Sequence, residues 1–179
     1  MRRSGFIAQS VLKWGHDMTG PYRGFLLVFR LLMAWTFIYA ASHQAFDPHF
    51  TIIGFLKSTK TFNALFMPFT GPAIAPLVSF MVAWGHLLIG LSLLVGLATR
   101  LSAAFGIALL LMYWLAHMDF PFIENRNNFI IDYHIVYAVV LAFLIAGKAG
   151  LTAGLDGWAG RLPIVRATAL GRWATGAEG

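Results

Sequence analysis

The run LVSFMVAWGHLLIGLSLLVGLA (residues 77–98), followed by Thr99 and Arg100 and then by LSAAFGIALLLMYWLAH (residues 101–117), decides how this chain folds. Arg100 is the sole Lys, Arg, Asp or Glu in it. As helices rising 1.5 Å per residue, the two runs extend roughly 25–33 Å, matching a hydrocarbon layer of about 30 Å. Neither run alternates apolar with polar residues as a barrel strand would, and hydrocarbon offers no water to an unpaired backbone group. Both therefore read as membrane-spanning helices joined by a tight turn. Working outward, residues 25–42 and 129–146 have the same character. The expected fold is all-α: a four-helix transmembrane bundle with spans at 25–42, 77–98, 101–117 and 129–146.

Composition agrees. In 179 residues, 59% are hydrophobic and 11% charged, which excludes an ordinary soluble domain. The length suits one unit: an amino-terminal arm (1–24), a four-span membrane domain (25–147) and a tail (148–179). The net charge of +6 comes from basic residues that flank apolar runs without forming a patch, so the partner they imply is the lipid bilayer and not nucleic acid. Absence of cysteine excludes disulfides and thiolate metal sites. The arm is too polar to be the core of a cleaved signal peptide. Arg2, Arg3, Lys13 and Arg23 precede the first span, Arg100 lies in the turn, and Lys148, Arg161, Arg166 and Arg172 follow the last span. The other two loops carry only Lys57, Lys60 and Arg126. The positive-inside rule makes this a multi-pass protein of the cell membrane with both termini cytoplasmic. In the first outer loop, residues 51–69 mix apolar residues with Lys57 and Lys60, predicting one interfacial amphipathic helix before Gly71, Pro72 and Pro76 break the chain.

Ionisable residues within spans are costly, so each needs a partner, a route to the interface or a function. Arg30 lies near the cytoplasmic start of the first span, where snorkelling and a functional role are both open. Alternating direction turns His43, His86, His117 and His134 all toward the outer half. His86 and His134 lie about 14 Å and 8 Å below the outer ends of their spans. His43 and His117 end theirs, where simple solvation is the favoured reading. Asn127, Asn128 and Asp132 join this group, and Tyr113 shares a helical face with His117. A polar pocket open to the outer side follows, whose neutral imidazoles suit a quinone carbonyl, a proton relay, a metal or a haem. A bis-histidine haem lacks an attachment motif here, and no metal-ligand spacing is present. Gly85, Ser92 and Gly96 form one stripe that suits close helix approach. Asp156, after the last span, is expected to pair with Arg100 or a tail arginine.

The run from Trp84 to Arg100, with its Gly-Leu-Ala-Thr-Arg close, resembles the signature of the DoxX/DoxD family of small membrane proteins. Arg30, Asn127-Asn128 leading into Ile131-Asp132-Tyr133-His134, and Gly154-Leu155-Asp156 match in order. The resemblance departs at His86, where relatives carry a glutamate, so a charge pair with Arg30 is not implied here. It implies a four-helix subunit, in some members the partner of a thiosulfate:quinone oxidoreductase. Quinone is then the suspected cofactor, with a site at His86, His134, Asn127, Asn128, Asp132, His117 and Tyr113. Arg30, Arg100 and Asp156 would support the cytoplasmic half. The alternative is a non-catalytic subunit of a larger respiratory or photosynthetic complex, holding lipid, pigment or haem. Other membrane-complex subunits are expected partners under both readings.

Overall fold

A computed structural model describes residues 19–177; Arg2, Arg3 and Lys13 of the arm lie outside the described residues. In chain order the elements are α1 (Thr19–Ser42), α2 (Ile53–Ser58), α3 (Asn63–Phe66), a 3-10 turn (Met67–Thr70), α4 (Ala75–Val95) and α5 (Thr99–Ala116). Strands β1 (Met118–Asp119), β2 (Phe122–Ile123) and β3 (Asn125–Phe129) follow, then α6 (Tyr133–Ala146) and a second 3-10 turn (Ala149–Leu151). The chain ends in short helices α7 (Asp156–Ala159), α8 (Pro163–Arg166) and α9 (Ala169–Ala174). Helices α1, α4 and α5 are long and apolar enough to cross a membrane, and α6 is a shorter apolar helix beside them. Their outward residues include Trp35 at 66% exposure and Phe105 at 63%, a surface that hydrocarbon tolerates and water does not.

Helix α1 packs against α4 and α6, and α5 against α4 and α6. Met33, Ala34, Phe37, Ile89, Leu93, Leu110 and Leu141 are buried among them. The close approaches come at Gly90 and Gly106. A Cβ at Gly90 would stand 2.7 Å from Ile38 Cγ1 and 2.8 Å from Ile38 N, and one at Gly106 would stand 2.8 Å from Leu141 Cδ1. Of the stripe expected at Gly85, Ser92 and Gly96, Gly96 is a close approach, where a Cβ would stand 2.7 Å from Gly154 Cα, and the other two are not. A Cβ at Gly85 would meet nothing within 4 Å, and the Ser92 hydroxyl donates to Leu97 O while accepting from Ser102.

Element ends have local causes. Helix α4 stops because Gly96 turns left-handed at φ 67°, its N–H returning to Ser92 O, and Ala98 repeats the left-handed turn at φ 50° before α5 begins. Helix α6 is shorter than the span expected at 129–146. Asp132 is extended and its side chain accepts from His134 N, an N-cap that starts the helix at Tyr133.

The all-α expectation also missed a small antiparallel sheet, ordered β1-β2-β3, with Met118 opposite Ile123 and Phe122 opposite Phe129. Strands this short carry no readable alternation. The single helix expected over 51–69 is likewise broken: Thr59 folds its hydroxyl onto Leu56 O and Asn63 Nδ2 donates to Thr59 O, separating α2 from α3. Ile52, Leu56 and Phe66 pack on Ala116, so the loop covers the same end of the molecule as the sheet. It is fastened there by the Lys60–Asp119 ion pair at 2.6 Å and by Thr61 N donating to Met118 O at 3.1 Å.

Candidate functional site

Two groups of polar side chains occupy opposite ends of the helical body. At the sheet end, α4 supplies His86, α5 supplies Tyr113 with His117 just after it, and the start of α6 supplies His134. Tyr113 is the hub. Its ring lies 5.7 Å from His86, 5.8 Å from His134 and 6.1 Å from His117, nearly parallel to His134 at 12°. His117 stacks on His134 at 5.1 Å. Phe37 flanks His86 and Phe55 flanks His117. Asp132 and His134 form a buried pair, Nδ1 to Oδ2 at 2.6 Å, with almost no side-chain exposure.

Each ring is held by its Nδ1. His86 Nδ1 lies 2.7 Å from Val82 O and His117 Nδ1 lies 2.9 Å from Tyr113 O, one helical turn back in each case. A carbonyl only accepts, so both Nδ1 atoms carry the proton and donate. Gln44, just past α1, faces the Tyr113 hydroxyl, and its Oε1 is buried without a hydrogen-bond partner.

Three of the four histidines expected toward the outer half thus come together, with Tyr113 and Asp132. His43 does not: it is exposed, its Nδ1 on Tyr39 O. Asn127 and Asn128 fall on β3, where Asn127 is exposed and its N–H is taken by Asn125, and neither bonds to the rings. Sequence reasoning missed Gln44, Phe37 and Phe55. Gln44 alone carried a signal, as a polar neighbour of His43 at the same depth. Among the described residues no group of three His, Asp or Glu side chains is disposed to hold a metal ion.

The opposite end, the base, is organised by Arg30, which is 1% exposed and does not snorkel. Its guanidinium donates from Nη1 to Ala149 O and Thr152 O and from Nη2 to Ala153 O, each at 2.9 Å. A three-donor fork thereby satisfies carbonyls left over where α6 and its 3-10 turn end. Asp156 faces Arg30 and not Arg100 as expected. It accepts from Ala98 N at 2.6 Å and Thr99 N at 3.1 Å, capping α5. Burial pushes the Asp156 carboxyl above the usual range, against the opposing pull of Thr99, Ala98 and the Arg30 charge. Arg100 lies over the Trp173 ring at 5.0 Å and donates to Trp173 O, tying the folded tail to the foot of α5.

These features define an integral membrane protein of apolar helices with a stacked imidazole–phenol cluster at one end and an arginine-centred lock at the other. The DoxX family model matches residues 25–118, more than half of the chain, and the chain belongs to the DoxX family. The match includes Arg30, His86, Tyr113 and His117 and ends before Asp132, His134 and Asp156. No curated protein and no solved structure matches the chain.

Proposed function

We propose that this DoxX-family protein is the membrane subunit of a quinone-linked oxidoreductase, with the Tyr113 cluster as the place where the carrier's ring sits and its protons are exchanged. The observation that carries the reading is the buried Asp132–His134 pair stacked against Tyr113 and His117. A flat conjugated ring suits parallel rings, and a carboxylate-held imidazole can take up a proton and pass it to a carbonyl oxygen as the ring is reduced. An apolar groove of about 740 Å³ runs between α4 and α5 past Gly85, Leu88 and Phe105 to Tyr113, a lane for a hydrocarbon tail from the bilayer. The donor implied by the family resemblance is thiosulfate.

In this reading α6 is a fourth crossing. Its 14 residues cover only about 21 Å. The apolar residues before it, Phe129, Ile130 and Ile131, are exposed and fold into a tight turn at the head of the helix, with φ 60° at Ile130 and Ile131 N donating to Phe129 O. Their backbone is not left bare: Ile130 N donates to Pro121 O, and Ile130 O accepts from Trp114 Nε1. Both termini then lie on the cytoplasmic side.

The test is thiosulfate-driven reduction of decylubiquinone in membranes containing the protein. His86→Ala and His134→Ala are expected to lower turnover about 100-fold, the weight of a lost proton-transfer group, with assembly on native gels unchanged. Turnover at the wild-type level in both variants overturns the site.

The groove also favours a second reading, a non-catalytic subunit holding a long apolar molecule such as a lipid or pigment. Visible absorption by the purified protein selects a pigment, because quinones and lipids absorb in the ultraviolet, and lipid without quinone in an organic extract selects the lipid.

A further inference from the structure

Hydrogen-bonding sense, read atom by atom, distinguishes between the two redox forms of such a ligand. His86 and His117 spend their Nδ1–H on backbone carbonyls, and His134 directs Nδ1 at Asp132. A neutral imidazole has one proton, so each ring keeps a bare lone pair at Nε2, across the ring from its anchor. None of the three rings makes another hydrogen bond within the described residues. Gln44 Oε1, buried and unpartnered beside Tyr113, is a further acceptor. Against these four acceptors stand as donors the Tyr113 hydroxyl, the Gln44 amide N–H₂ and the hydroxyl of Tyr133, whose ring lies 4.1 Å from that of His134. A quinone brings two carbonyl acceptors, which draw on those donors and leave the Nε2 atoms unpaired. A hydroquinone brings two hydroxyl donors.

We infer that the Tyr113 cluster binds the reduced, dihydroxy-aromatic form of the carrier in preference to the oxidised form, through hydroxyl hydrogen bonds to imidazole Nε2, with His134 the chief acceptor. This rests on the quinone-linked reading above. His134 is favoured because its anchor is a buried carboxylate, which raises the basicity of Nε2 as a carbonyl does less strongly. Binding itself moves no electrons: the hydroxyl hydrogen is shared with Nε2, and the quinol held there is the product of the proposed reduction. Asp132 is a positioning residue, acting through the tautomer it fixes.

The experiment is equilibrium dialysis of the purified protein in nanodiscs, under argon, against decylubiquinol and against decylubiquinone. The quinol is expected to bind about tenfold more tightly, the effect of roughly one net hydrogen bond together with relief of unpaired acceptors. Asp132→Asn retains a good cap for α6, since Asn and Asp are equivalent there. Its amide N–H donates to Nδ1, which moves the ring proton to Nε2 and turns His134 from acceptor into donor. In that variant the preference is expected to shrink at least threefold or to reverse. His134→Phe keeps a ring for stacking and is expected to abolish the preference while retaining weak binding of both forms. Binding of both forms with the quinone equal or tighter overturns the preference and leaves the quinone-linked reading standing. Binding of neither form overturns that reading, and the preference with it. An unchanged preference in both variants overturns the role given to His134.

Discussion

At the scale of single residues, the base shows how a buried charge is tolerated in an apolar body. Arg30 gives three donors to carbonyls more than a hundred positions away, and Asp156 caps α5 while facing the same guanidinium. Gly150 and Gly154 are required by that crowding: a methyl at Gly150 would collide with the Asp156 carboxylate, and one at Gly154 would stand 2.5 Å from Arg30 Nη1. Burial outweighs the bonds to Asp156, so its folded-state pKa lies above the unfolded value. A raised carboxyl binds its proton more tightly in the folded state. Its contribution to stability is therefore full below the ordinary carboxyl pKa of about 3.9 and is lost as pH rises through the raised value. Unfolding in detergent, followed between pH 4 and 8, is expected to show wild type losing stability relative to Asp156→Asn as pH increases. A difference between the two proteins that stays flat over the range, or grows in the opposite sense, refutes that account of Asp156. The sequence announced Arg30 and Asp156 as unusual, and it did not announce their partners, because main-chain carbonyls leave no trace in residue identity.

At the scale of elements, packing depends on which glycines meet a neighbour, and periodicity alone selects Gly96 correctly and Gly85 wrongly. Gly85 falls on the apparent small-residue stripe yet opens on the groove, whereas Gly90 touches α1 at Ile38. Gly90→Ala is expected to cost about 1–3 kcal/mol by forcing α1 and α4 apart, while Gly85→Ala is expected to add about 0.5–1 kcal/mol through helix propensity. Thermal unfolding of the two variants in one detergent checks the contrast; equal effects would mean that the α1–α4 contact lies elsewhere. Long apolar runs made α4 and α5 legible nearly to their ends, since hydrocarbon length and continuous hydrophobicity leave few alternatives. The sheet was illegible because strands of two residues have no period, and its β3, NRNNF, is polar and has weak strand propensity. The true start of α6 depended on one side chain, Asp132, turning back onto His134 N. That residue was visible in the sequence as a polar neighbour of His134, and its capping role was not.

At the scale of the whole molecule, the threading inferred from charge and the ring cluster depend on one another. Only alternating direction brings His86, Tyr113, His117 and His134 to a common end, and the structure gathers them there, so the composition of the cluster was largely legible from span direction. What direction alone could not separate was His43 from the other three: it sits at the same depth, on the outside of α1. The base gathers Arg100, Lys148 and the tail arginines, while the sheet end mixes Lys57, Lys60 and Arg126 with Asp119 and Glu124. Positive charge is retained on the cytoplasmic face, so the base is expected there and the sheet end outside. The chain has no cysteine, which makes an introduced one a unique label. Asn127→Cys, exposed on β3, is expected to react with a membrane-impermeant maleimide on intact cells, and Ile164→Cys, 78% exposed on α8, only after permeabilisation. The reverse pattern would invert the threading and move the cluster to the cytoplasmic face. Labelling of both from the same side would mean that α6 does not cross, since residues 127 and 164 are separated by that helix alone among the apolar ones, and the body would then be three crossings with α6 folded against them.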